Sequence, residues 1–434
     1  MSFENLNLNA DIKKALTACG FDSPTEIQRE AIPLVLDGRD LMASAQTGTG
    51  KTAAFVLPAL ELLTRWPRKP GVGPRVLVLT PTRELATQVT DNIKLFSRFS
   101  RVFSGSLVGG VPYPPQISML SKPQDIIVAT PGRLKDHMER GRIDFSRIEM
   151  LILDEADRML DMGFVDEVRE IAAAMPAERQ TLLFSATLEG RIDHIARSLL
   201  KDPARIQQVA TQARHASITQ HIHQADDLAH KHRLLSYFLK KDELDQAVIF
   251  TATKQGADML AQDLADQGHQ VAALHGDMSQ HVRRRTVENM RRGKHRVLVA
   301  TDVAARGLDI KGISHVINFD LPMVAEDYIH RIGRTGRGGA TGIAISLVGP
   351  QDWGKLRGIE KLTGSKLQRE IVPGLEPVMP EPSSFRSSGK PRGKGGRNFR
   401  GNGNNNGGGW KGRSNASGQR RTSSSHSGSM RKDA

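Results

Sequence analysis

The 434-residue chain has a single cysteine, Cys19, which excludes a disulfide framework and any zinc site built on cysteine. A lone thiol of this kind is expected as a small buried side chain. Long apolar runs are missing too. No stretch approaches the roughly 20 apolar residues that a bilayer crossing demands, and the opening Met1-Ser2-Phe3-Glu4-Asn5 lacks the basic and apolar regions of a secretory leader. The expectation is a cytoplasmic protein without a membrane segment. Acid is scarce in one place only. Residues 383–434 hold 12 of the 61 Lys/Arg but one of the 47 Asp/Glu, Asp433, so the preceding chain is nearly neutral although the formal total is +14. The positive charge belongs to an appendage, which suits capture of a polyanion such as nucleic acid better than a wholly basic fold does.

The length supports two buried cores. From about residue 40, short apolar runs alternate with longer amphipathic stretches: residues 75–80, 125–129, 150–153 and 181–184 read as strands, and the pattern restarts at 247–251, 270–274, 296–300, 315–318 and 342–347. Strands alternating with helical patterns predict an α/β fold with parallel sheets. The expected organisation is a first domain over 1–209, a linker over 210–219, a second domain over 220–372 and a disordered basic tail over 373–434. In that tail, Pro, Gly, Ser, Asn and Arg dominate, and Phe385, Phe399 and Trp410 stand alone among basic residues. Such composition buries too little apolar surface to offset chain entropy.

Two local patterns carry chemistry. Ala45-Gln46-Thr47-Gly48-Thr49-Gly50-Lys51-Thr52 lies between an apolar segment near Leu41 and a helical pattern through Leu57, and it matches a phosphate-binding loop except that Ala45 replaces the first glycine. Gly48 and Gly50 let backbone N–H groups face phosphates, Lys51 can reach the β- and γ-phosphates, and the Thr52 hydroxyl suits Mg²⁺. About a hundred residues later Met150-Leu151-Ile152-Leu153 runs into Asp154-Glu155-Ala156-Asp157. Ligands of an open parallel sheet bind beyond the carboxyl ends of its strands, so an apolar strand closing on acids suits a metal-holding position.

Taken together, AQTGTGKT and DEAD resemble the DEAD-box ATP-dependent RNA helicases of helicase superfamily 2, most closely the bacterial RhlE type with its compact core and short basic tail. The resemblance covers roughly residues 1–370 and implies two tandem RecA-like domains with parallel sheets, ATP and Mg²⁺ as cofactors, and RNA as partner. By the same resemblance Gly20-Phe21, Pro24-Thr25 and Ile27-Gln28 form the adenine-reading motif, with Gln28 on the base and Phe21 or Phe3 packing against it. Asp154 holds the metal with Thr52, Glu155 polarises the attacking water, and Asp157 communicates with Ser185, Thr187 and His330. Arg334 and Arg337 of His330-Arg331-Ile332-Gly333-Arg334-Thr335-Gly336-Arg337 meet the γ-phosphate once the domains close, and Asp309 turns to the ribose. Arg83, Gly110, Thr130, Arg133, Arg283, Thr301 and Gly307 are the implied RNA contacts. Hydroxyls, guanidiniums and exposed backbone amides grip phosphates without base preference.

The implied activity is RNA-stimulated ATP hydrolysis coupled to local opening of short duplexes and ribonucleoprotein remodelling, by a monomeric core with ribonucleoprotein or RNA-decay partners. The tail adds salt-sensitive, sequence-tolerant RNA binding. Two rivals share every motif: an ATP-switched RNA clamp with little net unwinding, and a DNA translocase on the same core. Clustered His221, His223, His230 and His232, with no Cys and no Glu at metal spacing, read as an exposed titrating stretch rather than a metal site.

Overall fold

The computed structural model describes residues 2–44, 49–65, 71, 73–186, 188, 191–207, 218–305, 310, 312–336 and 340–381. Fourteen strands are found among them. The first seven are β1 (Leu41–Ser44), β2 (Val76–Leu79), β3 (Ser104–Leu107), β4 (Ile126–Ala129), β5 (Met150–Leu153), β6 (Gln180–Ser185) and β7 (Ala204–Gln207). The second seven are β8 (Ile218–Gln224), β9 (Ala247–Phe250), β10 (Val271–Leu274), β11 (Val297–Ala300), β12 (His315–Asn318), β13 (Gly342–Val348) and β14 (Gln368–Arg369).

Each set forms one parallel sheet, in the orders β3-β4-β2-β5-β6-β1-β7 and β10-β11-β9-β12-β13-β8-β14. Counted from its own first strand, the second sheet has the wiring of the first, so the chain repeats one α/β design twice. The central strands explain the choice of parallel pairing. VLVL, IIVA and MLIL are buried along their whole length, as strands covered by helices on both faces must be. Helix starts are set by side-chain caps. Thr82 accepts from the Leu85 amide at 3.3 Å and Asp227 from the His230 amide at 2.6 Å, satisfying donors that a first helical turn leaves unpaired.

Several boundaries differ from the sequence expectation. Residues 218–219 belong to β8 rather than to a linker: Ile218 and Thr219 pair with Gly342 and Ile343. Strands β3 and β7 escape apolar-run reading because they are the two edge strands of the first sheet, with polar alternation, SGSL and ARIQ. The tail assigned from 373 also begins too early. The Asp226 carboxylate accepts from the Val378 amide at 2.8 Å and the Met379 amide at 2.9 Å, and His230 Nε2 lies 3.0 Å from the Leu375 carbonyl. Residues 374–381 are therefore held against the second sheet by backbone groups, which composition does not reveal. Residues 383–434, with their aromatic and basic side chains, lie outside the described residues.

Individual side chains also depart from expectation. Phe3 is buried in the first core rather than offered to a ligand, and Cys19, which closes the helix Ala10–Ala18, is half-exposed. The histidine stretch is not a solvated one. His223 and His230 are 4% and 1% exposed: β8 lies inside its sheet, and His230, on the helix Leu228–Leu239, is held between the Asp226 amide and the Leu375 carbonyl. No cluster of three or more potential metal ligands occurs among the described residues, and no described helix is long and apolar enough to cross a membrane.

His223 stacks against Phe238 with ring centroids 4.8 Å apart, and its Nδ1 has no hydrogen-bond partner. Burial is the main force that pushes its imidazole down from 6.5 to about 4. The unfolded chain therefore takes up a proton below pH 6.5 that the native His223 refuses until about pH 4, and stability falls across that window. Chemical denaturation at pH 7 and pH 5 should show a smaller acid loss for His223→Phe than for the parent; equal losses would refute the assignment.

Candidate active site and nucleic-acid interface

Parallel wiring brings the two sequence motifs to one edge. Ser44 at the end of β1 is in register with Ser185 at the end of β6, and β6 separates β1 from β5, so the loop before Lys51 and the acids after Leu153 leave the sheet about 10 Å apart. Residues Ala45, Gln46, Thr47 and Gly48 lie outside the described residues. Thr49 and Lys51 are buried, and Thr52 is half-buried at the start of the helix Lys51–Arg65.

Gly50 has φ +90°, and a Cβ there would sit 2.3 Å from Gln28 Nε2, so no other residue fits this turn. Gln28 Nε2 donates to the Gly50 carbonyl at 3.0 Å, and its Oε1 accepts from the Thr25 amide at 3.0 Å. The side chain expected to read adenine thus also ties the loop to its own helix start. A primary amide keeps a second donor and a second lone pair for a base. Phe21, 38% exposed, meets Phe96 edge-on with centroids 5.6 Å apart, leaving ring surface for stacking.

At the acid quartet the backbone is strained. Glu155 has φ +52° and ψ +52°, and the one other non-glycine with positive φ among the described residues is Asp202. A glutamate in this left-handed conformation costs about 1 kcal/mol or more, and such turns persist where surrounding structure holds them for a purpose. Asp154 is 2% exposed and its Oδ1 has no partner. Burial pushes its carboxyl up to about 7, against the pull of the nearby Lys51 charge and with a further push from Glu155. An orphaned, buried carboxylate oxygen beside a lysine fits a divalent cation carrying phosphates.

Asp157 is anchored differently. Its Oδ1 accepts from the Arg158 amide and its Oδ2 from the Ala186 amide, both at 3.0 Å, while Ser44 Oγ donates to the Ala186 carbonyl at 2.9 Å. The link between the acid turn and the end of β6 runs through the backbone of Ala186, which side-chain reasoning passed over. Thr187 lies outside the described residues. His330 lies near Arg158, the residue after Asp157, where both line one small cavity with Asp302, Asp327, Arg331 and Arg334.

That cavity joins the two sheets' functional edges. Arg331, part of the arginine motif but given no role of its own from sequence, is 2% exposed and clamps the strand ends of the second sheet. It binds both Asp302 oxygens at 2.6 and 2.7 Å, donates to Asn318 Oδ1 at 3.1 Å, and lies over Phe250. Arg334 Nε donates to the His330 carbonyl at 3.2 Å. Thr301 follows β11 and is buried. Gly307, Asp309 and Arg337 lie outside the described residues.

A second meeting of the lobes gathers the expected RNA contacts. The Arg83 guanidinium packs over Gly110, where a Cβ would stand 2.0 Å from its Nη1, and reaches Gln280 Oε1 at 3.4 Å. Arg283 pairs with Glu84 at 2.7 Å. Arg133 donates to the Val111 carbonyl at 2.8 Å and lies 4.4 Å over the Tyr113 ring, while Thr130 is buried at the start of the same helix. Burial first, then the like charges of Arg283 and Arg133, lower the Arg83 pKa, while Glu84 opposes them. Cations crowded in this way favour an anion running between them. Glu84 and Gln280 fall within sequence stretches that resemble RNA contacts, Pro81–Leu85 and His275-Gly276 with Gln280 and Arg283, but that their carboxylate and amide bridge the lobes here was not foreseen.

A phosphate-binding loop and a strand-end acid pair on one parallel sheet, met by arginines from a second sheet of the same wiring, define a nucleoside triphosphate hydrolase built from two RecA-like lobes. Comparison with known proteins specifies the family. Residues 25–195 match the DEAD/DEAH box helicase model and residues 230–339 the helicase conserved C-terminal domain. Similar proteins include the ATP-dependent RNA helicase SrmB of Haemophilus influenzae, 43% identical over 86% of this chain and 86% of its own length, and SrmB of Escherichia coli, 43% identical over 88% and 86%. RhpA of Helicobacter pylori is 41% identical over 86% of this chain and 75% of its own length. Among solved structures, Saccharomyces cerevisiae Dbp5 bound to RNA and ADP BeF3 superposes with a TM-score of 0.77 at 34% identity, covering 85% of this chain and 95% of that one. Mss116p bound to single-stranded RNA and AMP-PNP superposes at 0.79 with 27% identity, covering 86% and 81%. The chain belongs to the DEAD-box ATP-dependent RNA helicases. It hydrolyses ATP, with Mg²⁺, and couples hydrolysis to the unwinding of RNA.

The strain at Glu155 is open to test. Glu155→Gly should raise stability to chemical denaturation by about 1 kcal/mol while abolishing ATP turnover. A destabilised variant would mean that the turn is not strained.

Proposed function

We propose that ATP is hydrolysed in a site shared by both lobes, with Glu155 polarising the attacking water. The observation that carries this reading is that Arg334, on the second lobe, lines one cavity with Arg158, which follows the acid quartet of the first. Phosphoryl transfer to water needs charge neutralisation and an oriented nucleophile more than covalent catalysis. Lys51 and the backbone amides near Gly50 would hold the phosphates, and Gln28, Phe21 and Asp309 the nucleoside. Thr52 and Asp154 would hold Mg²⁺, which supplies neutralisation of phosphate charge when bound. Arg334 and Arg337 would complete the site on closure, so turnover waits for the lobes to meet.

RNA stimulates hydrolysis in this scheme because its backbone spans both lobes. Arg83, Gly110, Thr130 and Arg133 take phosphates on the first, and Arg283, Thr301 and Gly307 on the second. Binding across the junction favours the closed state, and ATP favours RNA by the same free energy. Supporting a path across the junction, Glu84 and Gln280 bridge the lobes between Arg83 and Arg283. Asp157, Ser185, Thr187 and His330 would pass the state of the nucleotide to the RNA side. Closure opens a short duplex locally, in ribonucleoprotein substrates, by a core acting as a monomer in the cytoplasm.

The proposed division of labour is a nucleotide lobe up to about residue 209, a second lobe from Ile218, and an RNA-tethering tail from residue 383. On the compact core and the Gly/Asn/Ser-rich basic tail we also propose an RhlE-type member of the family.

Glu155→Gln should bind ATP and RNA normally yet hydrolyse at least about a hundredfold more slowly; wild-type turnover would exclude Glu155 as the base. Deleting residues 383–434 should raise the KM for RNA and flatten its salt dependence while leaving ATPase at saturating RNA intact. Unchanged RNA affinity would refute tethering.

A further inference from the structure

Arg158 and Asp327 form an ion pair between the lobes, with side chains only 3% and 12% exposed. Neither position has a role in the site described above. Arg158 sits in the first turn of the helix Ala156–Asp161, and its amide donates to the Glu155 carbonyl at 3.0 Å and to Asp157 Oδ1 at 3.0 Å. Any displacement of its backbone therefore moves the strained acid turn. Asp327 lies in the first turn of the helix Ala325–Ile332. Positions 327, 330 and 331 follow helical spacing and share one face, Arg334 stands in the turn just after the helix, and together they line the cavity where Arg158 and Arg334 meet. The pair thus connects two rigid elements, one ending in the water-polarising Glu155 and the other leading to Arg334.

The energetics favour a role in register over one in gross affinity. A buried ion pair gains little net stability, since desolvation offsets attraction, but removing one partner leaves an uncompensated buried charge. Parted lobes would return both charges to water, so that penalty falls on the closed state alone. An ion pair also has a defined geometry, and misplacing a catalytic group by about 1 Å can cost roughly a hundredfold in rate.

We propose that Arg158 and Asp327 are positioning residues that pin the arginine-bearing helix of the second lobe to the acid turn of the first. The pin sets where Arg334 stands when the lobes close, and so rests on the reading of Arg334 as a γ-phosphate ligand.

The test uses the full chain at saturating ATP and RNA. Arg158→Gln and Asp327→Asn should each lower kcat about tenfold or more, with unchanged ATP affinity in the absence of RNA and unchanged thermal unfolding. The exchanged variant Arg158→Asp/Asp327→Arg should recover at least about threefold over the weaker single variant. Arg334→Ala is measured alongside. Wild-type kcat in both single variants beside an inactive Arg334→Ala would overturn the pin and leave the arginine reading standing. Wild-type kcat in Arg334→Ala would overturn that reading and the pin with it. A lowered unfolding temperature without recovery in the exchanged variant would show a structural pair and also overturn the proposal.

Discussion

Every strand in both sheets points the same way, and that constraint governs where chemistry can occur. A parallel strand hands its chain to a crossover helix at one edge only, so each loop of consequence leaves from the carboxyl ends of the strands. The phosphate loop after β1, the acid quartet after β5 and the serine at the end of β6 are neighbours for this reason. In the second sheet the same wiring brings Asp302, Asn318 and Asp320 to the guanidinium of Arg331. One sheet edge cannot surround a triphosphate. Two edges facing each other can, and the repeat of one topology supplies them.

Such an arrangement places buried charge at the junction. Arg158 with Asp327 and Arg283 with Glu84 are both largely shielded from water, and like charges are gathered around Arg83. Shielded pairs give orientation more than adhesion, because desolvation consumes most of the Coulomb gain. That suits lobes that must meet in one register and part again. The strained Glu155 and the partnerless Asp154 oxygen lie in the same region, so stability is conceded at the proposed site of reaction.

Much of this was legible in the chain. Lys51, Thr52, Asp154 and Arg334 belong to short contiguous patterns whose residue types have few other uses together, and the apolar runs VLVL, IIVA and MLIL announce strands buried on both faces. Less legible were the short polar strands β3 and β7, whose place at the two edges of the first sheet frees them from continuous apolar runs. Packing also hid the burial of His223 and His230 and the capture of residues 374–381 by Asp226. Arg158 looks like ordinary helix-surface charge, and Arg331, Glu84 and Gln280 like members of longer motifs with no task of their own, until their partners, more than ten residues away and mostly in the other half of the chain, are known.

The sequence by itself determined the chemistry: a nucleotide loop, an acid strand end and a basic arginine motif, each specified by a handful of adjacent residues. Tertiary structure alone decided how those groups stand. The left-handed turn at Glu155, the use of Gln28 to hold Gly50, the anchoring of Asp157 on the Ala186 backbone and the pairing of Arg158 with Asp327 depend on contacts between distant segments. Local residue preferences act within a turn or two of helix, whereas burial and ion pairing act between whichever surfaces the fold brings together.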